Sequence, residues 1–331
     1  MSKILNLEVS SEENTYKWLE AAKEYEKRVS ANSLEYIEKG KLWQKIGVCY
    51  GFASRQAKST DDFKNTRQEA VKAYEKASEF FSKNENSECM GEKAESLAYA
   101  QYMLSWNVSD VTEKLKNLDS CRLLAKEAIQ KFASENKDIR CAQTQILLST
   151  CLFERLYITT DVKESTEISQ ESLENSDRMI NTLLKYTEKE SLGFAYAYSS
   201  LNAWFIANIS EKEDDRKKIA EKATKYSEEA VNISKQCESP YLKAISLWAS
   251  VFSNLYFSDN LEVSLKHSKE MLEQAIIVSD NYLKGISYYL QAHVADWSVP
   301  CEANPNKRKQ IFESDIRSLY WYESINFVCG D

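Results

Sequence analysis

A bulky residue followed directly by a small one recurs along this chain at a nearly fixed interval: Ile46-Gly47, Leu97-Ala98, Leu148-Ser149, Tyr196-Ala197, Trp248-Ala249 and Ile286-Ser287. Successive small residues stand 51, 51, 48, 52 and 38 positions apart. An interval of that size holds two helices and their turns. A single helix pair cannot bury its apolar face, so the recurrence constrains the chain to stacked, repeated units.

Composition agrees with helices rather than sheets. The 331 residues include only seven glycines and three prolines, Pro240, Pro300 and Pro305, all in the C-terminal third. Loop-rich and sheet-rich folds need more of both. No stretch alternates apolar and polar residues over more than a few positions, so an all-α fold of about 13 helices is expected.

In chain order, residues 1–10 read as a flexible arm, followed by a cap helix over 11–30 with Trp18, Leu19, Ala22 and Tyr25 on one face. Helix pairs are expected at about 33–83, 88–134, 137–189, 191–236, 239–279 and 281–327, making one repeat domain from 11 to 331. The breaks fall at polar runs such as Ser59-Thr-Asp-Asp, Asn84-Glu-Asn-Ser-Glu and Glu238-Ser-Pro. In the last helix Ile311, Phe312, Ile316, Leu319, Tyr320 and Trp321 form an apolar stripe. An array needs a polar outer face on its terminal helix, so this stripe suggests a homodimer contact or a longer natural chain.

The first repeat resembles a tetratricopeptide repeat. Trp43, Ile46, Gly47 and Tyr50 match the first-helix pattern of Trp, two residues, Leu, Gly, two residues, Tyr. Ala70, Tyr74 and Ala77 match the second. Tyr50 and Ala70 are 20 apart, about twice the family's separation, so both helices are longer than usual. The resemblance spans about residues 33–327 and is similar to extended arrays such as the soluble adaptors of membrane-fusion machinery and the repeat domains of microbial regulators. It implies a right-handed superhelix of antiparallel helix pairs, in which Gly47 lets the second helix approach nearly backbone to backbone.

Several function classes lose support from composition. A net charge of −8 opposes a phosphate-tracking surface, and Lys307-Arg308-Lys309 is too short a basic run to offset it. The eight cysteines contain no CxxC and read as reduced thiols of a cytoplasmic protein. No secretory signal and no membrane-length apolar run occurs, so membrane insertion is not expected. The two histidines are far apart in sequence, His267 reading as surface and His293 as semi-buried, and no HExxH, GxSxG or glycine-rich phosphate loop is present. No catalytic residue, metal site or cofactor is assigned.

The excess of 19 tyrosines and seven tryptophans points to binding, because tyrosine joins apolar area to a polar tip at low entropic cost. The family register implies a concave groove lined by residues one and four after each small position. On the first inner helix it nominates Val48 and Gly51, with Phe52 beside them, and on the next two Tyr99, Tyr102, Thr150 and Phe153. On the next three it nominates Tyr198, Leu201, Ser250, Ser253, Tyr288 and Gln291, and Gln44, Arg55, Glu95 and Gln145 lie nearby as polar contacts. Recognition of a C-terminal acidic motif is not expected, since the inner helices supply no matching set of cations. The expected function is a non-catalytic scaffold or adaptor holding a peptide or helix of a partner protein; the alternative is a ligand-sensing regulatory domain cut from a longer signalling protein.

Overall fold

A computed structural model of the protein describes residues 11–30, 34–298, 304, 306–307 and 309–310. The expected arm at 1–10 and the stripe at 311–327, with the homodimer contact assigned to it, lie outside the described residues. The chain packs as two compact units, Met1–Tyr186 and Thr187–Asp331.

The first unit holds α1 (Ser11–Asn14), α2 (Trp18–Val29), α3 (Tyr36–Ser54), α4 (Thr60–Phe81), α5 (Ser87–Ser105), α6 (Val111–Ser134), α7 (Asp138–Ile158) and α8 (Val162–Leu183). The second holds α9 (Lys189–Ile209), α10 (Glu213–Ser234), α11 (Pro240–Phe257), α12 (Leu261–Ile277) and α13 (Asn281–Ser298). Within each unit every helix packs on the next in sequence, and successive first helices also touch: α3 on α5, α5 on α7, α9 on α11 and α11 on α13. Among the described residues there is no strand, so the fold is an all-α repeat of helix pairs.

Local sequence explains where the helices begin. Side-chain oxygens of Ser59, Asn86, Asp110, Asp161, Ser239 and Asn260 accept hydrogen bonds from backbone amides three residues on. Each satisfies a donor that the first turn leaves open. Pro240 then opens α11, where its missing N–H costs nothing. The chain has few glycines for left-handed turns, so Tyr16, Asn136, Asp259 and Ser279 adopt positive φ values of 59, 54, 49 and 55°.

The two helices of a pair are buried differently. On α7 every residue from Ala142 to Ser149 is buried, and on α11 every residue from Ala244 to Ser253. The second helices bury one face only, on α10 Ala223, Tyr226, Ser227, Ala230, Val231 and Ser234, a spacing of one helical stripe. First helices are therefore buried on more than one face, while the second helices supply large core side chains such as Tyr74, Phe81, Phe132 and Met179.

Two expectations change in detail. The cap helix breaks at Tyr16, which turns α1 back so that Glu13 is buried beside Lys45 at 3.2 Å and accepts a 2.6 Å hydrogen bond from Tyr25. The pair expected over 137–189 ends early: α8 stops at Leu183, and the following turn carries Tyr186 to Asp138, to which its hydroxyl donates at 2.8 Å.

The glycines of the first helices also act differently from the backbone-to-backbone contact expected of Gly47. A methyl group there would lie 2.8 Å from the ring of Tyr74, one at Gly40 2.8 Å from Phe81, and one at Gly91 2.8 Å from Phe132. Each glycine seats an aromatic ring of its own second helix, so the absent side chain makes room for a ring face and not for a bare backbone. Ile46, Ala70 and Ala77 are fully buried around this contact, and Tyr50 is buried with its hydroxyl on Glu26 at 2.9 Å. Trp43 is only half-buried, with the Lys76 ammonium 4.2 Å from its ring centre.

Candidate functional site

The polar residues nominated for a groove do not lie on open surface. Gln44, Glu95 and Gln145 are buried. They precede the small residue of their helix by three or four positions, which turns them toward the neighbouring helix. Gln44 donates to Glu92 at 2.9 Å and to Ser96 at 3.0 Å, tying α3 to α5. Arg140 of α7 donates to Glu92 at 2.7 Å and to Glu95 at 2.5 Å, and Thr144 donates to the other oxygen of Glu95 at 2.7 Å. Asn175 of α8 continues the seam, donating to the Gln145 carbonyl at 3.0 Å and to Ser149 at 2.8 Å.

One guanidinium thus serves two buried carboxylates. Burial pushes the Glu95 carboxyl above the usual range, with Glu92 adding to that and Arg140 opposing it. For Arg140, burial acts to release the proton, but Glu95 and Glu92 outweigh it and hold the guanidinium above its ordinary value. The seam is an internal brace between first helices.

Phe52, Arg55, Tyr99, Tyr102 and Phe153 remain half-buried in the first unit. Phe52 stacks on Trp18 at 4.8 Å, and Tyr99 stacks on the core ring of Tyr74 at 5.2 Å. Tyr102 meets Trp106 edge to face at 6.4 Å, and Trp106 carries Arg67 at 5.0 Å and Lys114 at 5.3 Å from its ring centre. Glu154 follows Phe153 on α7, and burial raises its carboxyl while Lys114 and Arg67 oppose the shift. Tyr102 and Phe153 each stand four residues after the small residue of their helix, while Phe52 stands five and Arg55 eight after Gly47.

That register does not carry into the second unit unchanged. Leu201, Ser250 and Ser253 are buried there, while Tyr198 and Tyr288 are half-buried. A different set of rings forms the partly open row. Trp204 of α9 stacks on Phe252 of α11 at 3.9 Å and meets Tyr256 edge to face at 5.4 Å. Tyr256 reaches α13 through His293, its hydroxyl 2.6 Å from the ring nitrogen, and through Trp297 at 5.4 Å. Tyr289 stacks on His293 at 5.6 Å, and Trp297 is 41% exposed. The sequence did hold a signal for this row: Trp204 and Tyr256 each stand seven residues after the small residue of their helix.

His267 is half-buried rather than a surface residue, its ring nitrogen 2.9 Å from the Ser250 hydroxyl. Burial lowers both histidines below their ordinary value; Glu270 opposes this at His267 while Lys266 and Lys235 add to it, and Asp296 opposes it at His293. A lowered histidine is neutral in the folded state while the unfolded chain still takes up protons. Its stabilisation is therefore complete above about pH 6.5 and is lost as the pH falls through the folded value. Urea unfolding followed by hydrogen exchange on α11 and α13 is expected to show the second unit weakening from pH 7 to pH 5, with His267→Gln and His293→Gln flattening that slope.

Among the described residues no three His, Cys, Asp or Glu side chains converge to hold a metal ion, and no helix is long and apolar enough to cross a membrane. Compared with known proteins, the chain matches no family model and no curated protein.

Proposed function

We propose that the protein is a non-catalytic interaction module that holds a peptide or helix of a partner protein, working as a scaffold or adaptor in the cytoplasm. The observation that carries this reading is the row Trp204, Tyr256, His293 and Trp297, contributed by three successive first helices and left partly open. Rings that only filled the core would be closed over between the two helices of a pair, as Tyr74 and Phe132 are against Gly47 and Gly91. Tryptophan and tyrosine are enriched among the few residues that carry most of the energy at protein interfaces, because each ring offers a large apolar face at small entropic cost. The side chains nominated by the tetratricopeptide resemblance, Phe52, Tyr102 and Phe153, offer the first unit a comparable surface. The six described cysteines are free thiols, which suits a reducing compartment, and the net charge of −8 argues against nucleic acid as the partner.

The test is selection from a displayed random-peptide library against the full chain. Enriched peptides should share a pattern of apolar residues and quench tryptophan fluorescence on binding. Tyr256→Ala should weaken that binding about thirtyfold, the effect of one interface anchor worth about 2 kcal/mol. A library that yields no shared pattern, or peptides that bind Tyr256→Ala and Tyr102→Ala as tightly as the parent, would overturn the reading.

A further inference from the structure

In the first unit, cations of the chain itself lie over several rings. The Lys76 ammonium stands 4.2 Å from the centre of Trp43, and the guanidinium carbons of Arg67 and Arg140 stand 5.0 Å from the centres of Trp106 and Phe132. Among the described residues no lysine or arginine does the same over Trp204, Phe252 or Tyr256 of the second unit. The first helices there are almost empty of base: neither residue type occurs between Lys189 and Lys212, between Lys243 and Lys266 or between Lys284 and Lys307. The same stretches hold Asp259, Glu262 and Asp296, which are exposed and make no ion pair among the described residues.

The row also lies where three helices end. Trp204, Tyr256 and Trp297 stand five, one and one residues before the last residue of α9, α11 and α13. The ring of Tyr256 is 5.4 Å from that of Trp204 and 5.4 Å from that of Trp297, so these ends lie together. The last turn of a helix leaves carbonyl oxygens open and carries the negative end of its dipole. At α9 the chain supplies a cation to that end, where Arg216 donates to the Ser210 carbonyl at 2.9 Å. The start of α10 is otherwise balanced, with Glu211, Glu213, Asp214 and Asp215 against Lys212, Arg216, Lys217 and Lys218. At the ends of α11 and α13 the neighbouring charges in the chain are Asp259 and Asp296, both acidic.

On the reading that the protein holds a peptide or helix of a partner, we infer that the segment taken by the second unit is basic and amphipathic. Its apolar side chains lie on Trp204, Tyr256 and Trp297, and its lysine or arginine side chains flank them beside Asp259, Asp296 and the open helix ends. Trp204 and Tyr256, with no cation of their own, attract one from the partner, and acids at the edge of the apolar contact select a basic segment. An acidic segment with the same apolar pattern meets like charge and is rejected.

Three synthetic helical peptides with one shared apolar face of leucine and tryptophan, and a polar face of lysine, glutamine or glutamate, test this against the full-length protein by fluorescence anisotropy. The lysine peptide should bind roughly three- to tenfold more tightly than the glutamine peptide, and the glutamate peptide more weakly than either. The differences should vanish at about 1 M salt, where charges are screened beyond about 3 Å. Asp259→Asn with Asp296→Asn should abolish the preference for lysine and leave binding of the glutamine peptide unchanged; asparagine also accepts the positive φ of 49° at position 259. The inference is overturned if the lysine and glutamate peptides bind equally. It is overturned equally if the preference persists undiminished in the double variant, which would assign it to the net charge of −8 as a whole. Failure of all three peptides to bind overturns it as well, whereas random-library peptides that still depend on Tyr256 would keep the peptide-binding reading.

Discussion

Arg140→Met is expected to lose about 3–5 kcal/mol of stability at neutral pH, more than a typical substitution in this chain. The side chain is 17% exposed, and it holds Glu92 and Glu95, which are 7% and 5% exposed. Methionine fills much of the same volume, so the loss comes from two carboxylates left buried without a counter-charge rather than from a cavity. The sign of the pH dependence follows from Glu95, whose folded-state carboxyl is already raised above the ordinary value by burial. A raised acid favours folding below its unfolded pKa of about 4.5 and loses that contribution as the pH rises through the folded value. Removing Arg140 takes away what holds the Glu95 carboxyl down, so the variant's deficit should shrink as the pH is lowered toward 5 and grow toward 8. Urea titrations at the two pH values check this. Adding Glu92→Gln and Glu95→Gln to Arg140→Met should recover most of the loss, since the charges are then removed together. A deficit of about 1 kcal/mol or less, unchanged with pH, would mean that the seam behaves as a solvated surface pair.

This seam also marks the limit of what the residues alone could reveal. The repeat period, the pairing of helices and the aromatic excess follow from spacing, because an apolar stripe at 3.6-residue intervals has one physical use. The break at Tyr16 did not, since a tyrosine in left-handed conformation is held there by tertiary contacts and no turn residue announces it. Gln44, Glu95 and Gln145 were read as groove residues on the premise that polar side chains face water. The partners of Gln44 and Glu95, namely Glu92, Ser96, Thr144 and Arg140, lie 45 to 52 residues away, and Asn175 reaches the Gln145 backbone carbonyl from 30 residues away, so only the assembled unit shows that these contacts form inside. The same limit applies to the second unit. There the register that places Tyr102 and Phe153 at an open surface buries Leu201 and Ser253, and the partly open row moves a turn along the helix to Trp204 and Tyr256.

The contact between Gly47 and Tyr74 allows the packing rule itself to be measured. Tyr74 is 1% exposed, lies against α3 and stacks on Tyr99 of α5, so Tyr74→Ala is expected to cost about 3–5 kcal/mol. Gly47→Ala in the parent protein places a methyl group 2.8 Å from that ring. Neither the ring, held between two helices, nor the helix backbone can move without disturbing other buried contacts, and overpacking of this kind costs about 1–3 kcal/mol. Helix propensity works the other way, since alanine is favoured over glycine in a helix interior by about 1 kcal/mol. The net loss from Gly47→Ala should therefore be modest in the parent. In the Tyr74→Ala background the ring is gone and only the propensity remains, so the same substitution should become neutral or stabilising. The coupling energy of the double-mutant cycle then reports the ring-on-glycine contact directly, and a value between about 1 and 3 kcal/mol is expected from chemical denaturation of the four proteins. A coupling near zero would mean that Gly47 is present for some reason other than the ring, and the parallel pairs Gly40 with Phe81 and Gly91 with Phe132 would then lose their common explanation.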